Sequence, residues 1–181
     1  SLPLMIVYQV VWGMPWQGYV WAAVSGVVHL PYVWLLAKAY THGDFSVSYP
    51  VARGGGAALA AVCGVVFLGD HLTGWEVAGI AVVVLGLILL AYGATGPNIA
   101  MALAVACTIG AYTTSDAKGA RITDNVAYIF ASAVGTMASN TIFGLVTGRR
   151  RAMVAMLRGN WRRASITGLA SLVTYGMVLV A

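Results

Sequence analysis

Charge is what this sequence has least of. Only 8% of its 181 residues are charged and just five of them are acidic, against 60% hydrophobic. Soluble domains carry about 25% charged residues, so a soluble fold of this composition would leave its surface largely apolar. Five carboxylates also leave little material for acid–base chemistry. There is no GxSxG elbow, HExxH helix, P-loop or dinucleotide-binding glycine pattern. The run Gly54-Gly55-Gly56 lies inside an apolar stretch, where a phosphate cradle has no place. The two cysteines, Cys63 and Cys107, belong to no CxxC or Cys/His spacing and read as small packing residues. No metal and no cofactor are expected.

What is present is long apolar runs separated by short polar turns. A bilayer core demands roughly 20 apolar residues per helix. Tyr19–Tyr40, Ser46–Leu68, Trp75–Tyr92, Ile99–Lys118 and Val126–Thr147 meet that demand. Leu2–Met14, closed by Pro15-Trp16-Gln17-Gly18, reads as half a span, and another begins near Ala164. The chain starts on Ser1 and ends inside an apolar run, which reads as an internal fragment cut at both ends. Only backbone bonded within each helix is viable in lipid, so the expected fold is all-α, a polytopic transmembrane bundle. Turns this short make consecutive helices antiparallel neighbours.

The net charge of +5 is concentrated, with six of the ten basic residues between Arg149 and Arg163. That stretch, Gly148–Arg163, is expected to be a connector between spans. Basic clusters beside spans are topology signals or contacts to anionic headgroups. Nucleic acid is not an expected partner, because binding it would need a groove with stacking aromatics.

Small residues mark helix contacts. Ala52, Gly56, Ala60 and Gly64 recur every four residues and share a face on which a neighbouring backbone can approach closely. Gly54 belongs to the same helix, and Gly79 and Gly86 are expected to give the next helix a similar packing stripe.

Candidates for chemistry are few. Arg53 sits in a span, in Tyr49-Pro50-Val51-Ala52-Arg53-Gly54. An arginine costs about 2.5–3.5 kcal/mol at a span's centre, so it should face protein or a water-filled cavity; the alternative is snorkelling to headgroups. Pro50 restrains the backbone there and Tyr49 offers a hydroxyl. Tyr112 and Asp116, four apart, share a helix face that could meet a polar substrate or carry a proton; the alternative is the helix's wet end. Lys38, Tyr40 and Asp44 form a further polar cluster, and His29 lies alone within its span.

The stretch from Ala39 to Gly54, with Tyr40, Gly43-Asp44-Phe45-Ser46 and Tyr49-Pro50-Val51-Ala52-Arg53-Gly54, resembles the EamA family of the drug/metabolite transporter superfamily. Phe67-Leu68-Gly69-Asp70-His71-Leu72 is similar to that family's helix end, with Asp70 in place of the usual glutamate. Trp75–Leu90 resembles the following helix, and Ala111–Arg121 looks like the first helix of a second repeat. The resemblance implies ten helices in two inverted repeats, with residues 1–93 holding the last four helices of the first repeat and 97–181 the start of the second. It further implies a multi-pass protein of the cell (inner) membrane, with export as the direction of transport. Such a protein moves small metabolites or drugs by alternating access, with Tyr49, Arg53, Tyr112 and Asp116 at the substrate cavity. Proton coupling and homo-oligomerisation are both compatible with it. A non-transporting membrane subunit and an intramembrane enzyme acting on a lipid-linked substrate are the alternatives. The family's usual orientation would put Arg149–Arg163 outside the cell, whereas the positive charge points to the cytoplasmic side.

Overall fold

The computed structural model describes residues 13–42, 44–92, 96–123 and 125–180. All regular structure in them is helical: α1 (Trp16–His42), α2 (Phe45–Cys63), α3 (Gly74–Ala91), α4 (Gly96–Arg121), α5 (Asn125–Val146) and α6 (Arg150–Val180). Five segments are long and apolar enough to cross a bilayer: Trp16–Thr41, Phe45–Leu68, Gly74–Ala91, Gly96–Arg121 and Val126–Val146. The chain is therefore an all-α, multi-pass membrane protein, with the five full-length spans where hydropathy puts them. The half-span Leu2–Met14 lies outside the described residues except for its last two.

Each helix boundary has a local cause. Asp44 caps α2, its carboxylate accepting from the Ser46 N–H at 2.9 Å and the Ser46 hydroxyl at 2.7 Å. These two bonds hold the Asp44 carboxyl below its ordinary range. Helix α2 widens into a π-helical turn, Gly64–Leu68, and ends at Gly69, whose φ of 75° is the left-handed conformation that favours glycine. Thr73 and Glu76 open α3 as a reciprocal capping box, with Glu76 Oε2 accepting from the Thr73 N–H at 2.6 Å. Glu76 thus serves the helix entrance instead of interrupting an apolar run. Pro97 stands in the first turn of α4, where its missing N–H is harmless. Helix α5 closes with a Schellman pattern around Gly148 (φ 70°), the Arg149 N–H donating to Gly144 O at 2.8 Å and the Gly148 N–H to Leu145 O at 3.1 Å.

The arginine-rich stretch corrects one expectation. From Arg150 onward it is not a loop but the first part of α6, broken only at Asn160, which has non-helical φ/ψ. Arginine, methionine, alanine and leucine are all good helix formers, and the only interruption falls in Gly159-Asn160. A basic groove on this segment is lined by Arg150, Arg151, Val154, Ala155 and Arg158.

The chain divides into two compact units, one of Ser1–Leu30 with Ser115–Ala181 and the other of Pro31–Thr114. Their limits fall within α1 and α4. In the second unit, α2 packs on α3, and the small-residue face of α2 also meets α4. A Cβ on Gly56 would stand 2.6 Å from Ile109 Cβ, and one on Gly55 3.2 Å from the Ala106 Cβ. Ala52, Gly56 and Gly64 are buried, so the every-fourth pattern is a contact face. Gly54 gives way to Leu87 of α3, at 3.1 Å. Gly64 makes room for the Asp70 carboxylate, 2.6 Å from where a Cβ would be. Gly79 and Gly86 depart from expectation: nothing lies within 4 Å of either missing Cβ. Leu87 marks the side of α3 that turns to α2, and these two glycines are on its open surface. Cys107 is exposed and Cys63 half-buried, both as free thiols, so only Cys63 contributes to packing.

In the first unit, α5 packs on α6. Ala22, Ala120 and Tyr128 make its buried cluster, with Met14, Trp21 and Ala131 against it. Gly26 of α1 meets Gly135 of α5 backbone to backbone, and the Ser139 hydroxyl donates to Gly26 O across that contact. Close approach through glycine with a serine hydrogen bond is how spans associate where apolar burial offers no net drive.

Candidate functional site

Polar side chains inside the spans gather at one cluster in each unit. The cluster in Pro31–Thr114 is built on Arg53, nine residues into α2. Four tyrosines surround its guanidinium electrostatically: Tyr32 and Tyr40 from α1, Tyr49 from α2 and Tyr112 from α4. The Arg53 guanidinium faces the Tyr40 hydroxyl as a potential donor, and its Cζ lies 6.0 Å from the Tyr49 ring centroid, within cation–π reach.

The rings also hold one another. Tyr32 meets Tyr112 edge to face at 5.5 Å between centroids. Tyr40 packs edge-on against Phe45 at 5.0 Å, and Phe45 stacks on Tyr49 at 5.3 Å. The turn from α1 into α2 is short, so Tyr40, Phe45 and Tyr49 are brought together by local sequence alone. Pro50, inside α2, removes one backbone donor next to Tyr49. Among the described residues no carboxylate pairs with Arg53. Tyr112 is 7% exposed, while Tyr49 and Arg53 are exposed, so the arginine is reachable.

Asp116 is the centre of the cluster in the other unit. Its side chain is 1% exposed. Tyr128 of α5 donates to Oδ1 at 2.8 Å, and the Tyr175 hydroxyl of α6 donates to Oδ2. Ser25 and His29 approach from α1. His29 Nδ1 lies 2.8 Å from Ser25 O, one turn back along α1. The Ser25 hydroxyl, 1% exposed, faces the carboxyl without completing a hydrogen bond of good geometry. Tyr128 is fully buried, and its ring occupies the space that a Cβ on Gly119 would need.

Of the residues singled out from sequence, Tyr49, Arg53 and Tyr112 thus fall in one cluster. Asp116, although one turn beyond Tyr112 on α4, has its hydrogen-bond partners on α5 and α6. Tyr40 joins Arg53, whereas Asp44 is used as the α2 cap, and Lys38 stacks its ammonium on Trp34 at 3.8 Å. His29 is not isolated. Sequence reading missed Tyr32, Ser25, Tyr128 and Tyr175, because nothing in a tyrosine's local context says which distant carboxyl or arginine it will meet. Among the described residues no group of three His, Cys, Asp or Glu side chains converges as a metal site. Comparison of the chain with protein-family models, with curated proteins and with solved structures found no match.

Proposed function

We propose that this chain belongs to a transporter of small polar or amphipathic molecules in the inner membrane, of the EamA type that its Ala39–Leu90 stretch resembles. The observation that carries the reading is Arg53: a permanent cation in a spanning helix, surrounded by tyrosine hydroxyls and, among the described residues, by no carboxylate. A structural arginine in lipid is ordinarily neutralised by a partner. One left with neutral, bifunctional hydroxyls suits a ligand that comes and goes. The guanidinium takes an accepting group, and the rings of Tyr32, Tyr40, Tyr49 and Tyr112 supply an apolar wall that tolerates varied carbon skeletons. Alternating access between two repeats would expose such a site to each side in turn, with export as the favoured direction. Self-association of the protein is compatible with this scheme.

The test is flux of a candidate compound, chosen by the sensitivity of a deletion strain, in sealed vesicles containing the complete protein. Losing a charge-assisted hydrogen bond removes about 1.5–3 kcal/mol. Arg53→Ala should therefore lower flux roughly ten- to a hundredfold while membrane insertion stays normal, and Arg53→Lys should recover part of it. Undiminished flux in Arg53→Ala would remove Arg53 from the site. Absence of substrate-dependent flux in the wild type would favour a non-transporting subunit instead.

A further inference from the structure

The Asp116 cluster has a design that substrate binding does not explain. Its carboxyl is inaccessible, it lies in a span, and among the described residues no lysine or arginine neutralises it. A lone carboxylate in that setting carries a desolvation penalty that two phenol hydrogen bonds only partly offset. The ionisable groups facing it from the surrounding helices are His29 of α1, Tyr128 of α5 and Tyr175 of α6. On α4 itself the side chains one turn away, Tyr112 and Ala120, bring no formal charge. Among the described residues, the group facing the carboxyl that can take up a positive charge is thus His29. The unpartnered Ser25 hydroxyl marks a position in this pocket where a further hydrogen bond can form.

We propose that Asp116 and His29 together form a binding site for a single exchangeable proton, and that Tyr175 ties its occupancy to the hold on α6. In the loaded state the carboxyl carries the proton on one oxygen, and the Ser25 hydroxyl is placed to accept from it. In the transfer step the carboxyl O–H breaks and an imidazole N–H forms, leaving carboxylate and imidazolium. The imidazolium then returns the proton to water. With Nδ1 donating to Ser25 O, Nε2 is the nitrogen that accepts. Charge-assisted hydrogen bonds are roughly twice as strong as neutral ones. The deprotonated carboxylate therefore grips Tyr175, and with it α6, more firmly than the neutral acid does. Acid loosens that grip and base restores it. The transporter reading bears only on what the proton is used for; the site stands or falls by itself.

Infrared difference spectroscopy of the reconstituted chain, stepped from acid to alkaline pH, reads the site without any flux. Wild type should lose a protonated-carboxyl C=O band with a matching shift of tyrosine ring modes. Asp116→Asn should lack both changes. His29→Gln should displace the midpoint of the transition, and Tyr175→Phe should keep the carboxyl band at a shifted frequency. The protection factors of α6 amides, taken relative to intrinsic exchange at each pH, should be lower at the acid end in wild type and pH-independent in Tyr175→Phe. A titrating carboxyl band identical in wild type and Asp116→Asn would overturn the proposal, as would a transition set by sodium and not by pH. If Asp116→Asn does not fold, the frequency shift in Tyr175→Phe decides the matter, and its absence refutes the site. Intact titration with transport indifferent to pH would refute coupling to flux and leave the proton site standing.

Discussion

Helices α3 and α4 both cross the membrane, yet they are built on opposite principles. Helix α3 is apolar from Val77 to Leu90, and not one of its residues is buried. Helix α4 has three threonines, a serine, an aspartate, a lysine and an arginine among its residues, yet it supplies Ala102, Val105, Ala106, Ile109, Tyr112 and Asp116 to the interior. In water the more apolar helix would be the inner one. In lipid the order reverses, because hydrocarbon satisfies an apolar side chain as well as another helix does, whereas polar and small residues gain only from protein contact. The core of this protein is therefore found by following its polarity and its glycines, not its hydropathy.

Changes that exchange the roles of these two helices test the contrast. The largest effect should come from putting α4's chemistry into α3. Val82 is 70% exposed at the middle of α3, and Val82→Asp should cost about 2.5–3.5 kcal/mol of insertion. A glycosylation reporter placed after α3 would read that cost as loss of the spanning form. Unchanged insertion would mean that Val82 faces a polar environment, not lipid.

Next in size is the glycine contrast. Gly56→Ala drives a methyl into Ile109 and should destabilise the fold by about 1–3 kcal/mol. Gly86→Ala meets nothing and should be neutral or, through helix propensity, stabilising by up to about 1 kcal/mol. Unfolding of each variant in mixed micelles with rising SDS, followed by circular dichroism, separates the two. Equal losses would show that α3's glycines pack as α2's do.

The smallest effect concerns a helix entrance. Because the folded-state value of Asp44 is depressed by Ser46, its capping contribution is complete above the unfolded value, about 3.9. It is lost as pH falls through the folded value. Protection of the amides in the first turn of α2, relative to their intrinsic exchange at each pH, should fall over that acid window in wild type and stay flat in Asp44→Asn, since asparagine caps without titrating. An identical acid response in both would assign the cap to other groups.

How far the sequence alone could be read follows the same physics. The five spans and the every-fourth small-residue face of α2 were legible because each rests on residues within one helix. Arg53, Tyr49 and Tyr112 stood out as costly or polar residues in apolar surroundings. Their grouping with Tyr32 and Tyr40, and the assembly of Asp116 with Tyr128, Tyr175 and His29, were not legible. Those contacts join helices distant in the chain, and no periodicity encodes them. Gly79 and Gly86 misled for a related reason: a glycine permits close approach but does not require it. The arginine-rich stretch misled because charge was taken as a sign of loop, while its side chains are strong helix formers.

By itself the sequence determined that this chain lives in a membrane as spanning helices, because the partition of apolar runs from polar turns follows from solvation one residue at a time. Only the tertiary structure decided which polar groups meet. It set an arginine among tyrosines in one unit and sealed an aspartate under two phenols and beside a histidine in the other. The reason is that a polar group in lipid must find its partner in protein, and that partner is chosen by the packing of helices far apart in sequence.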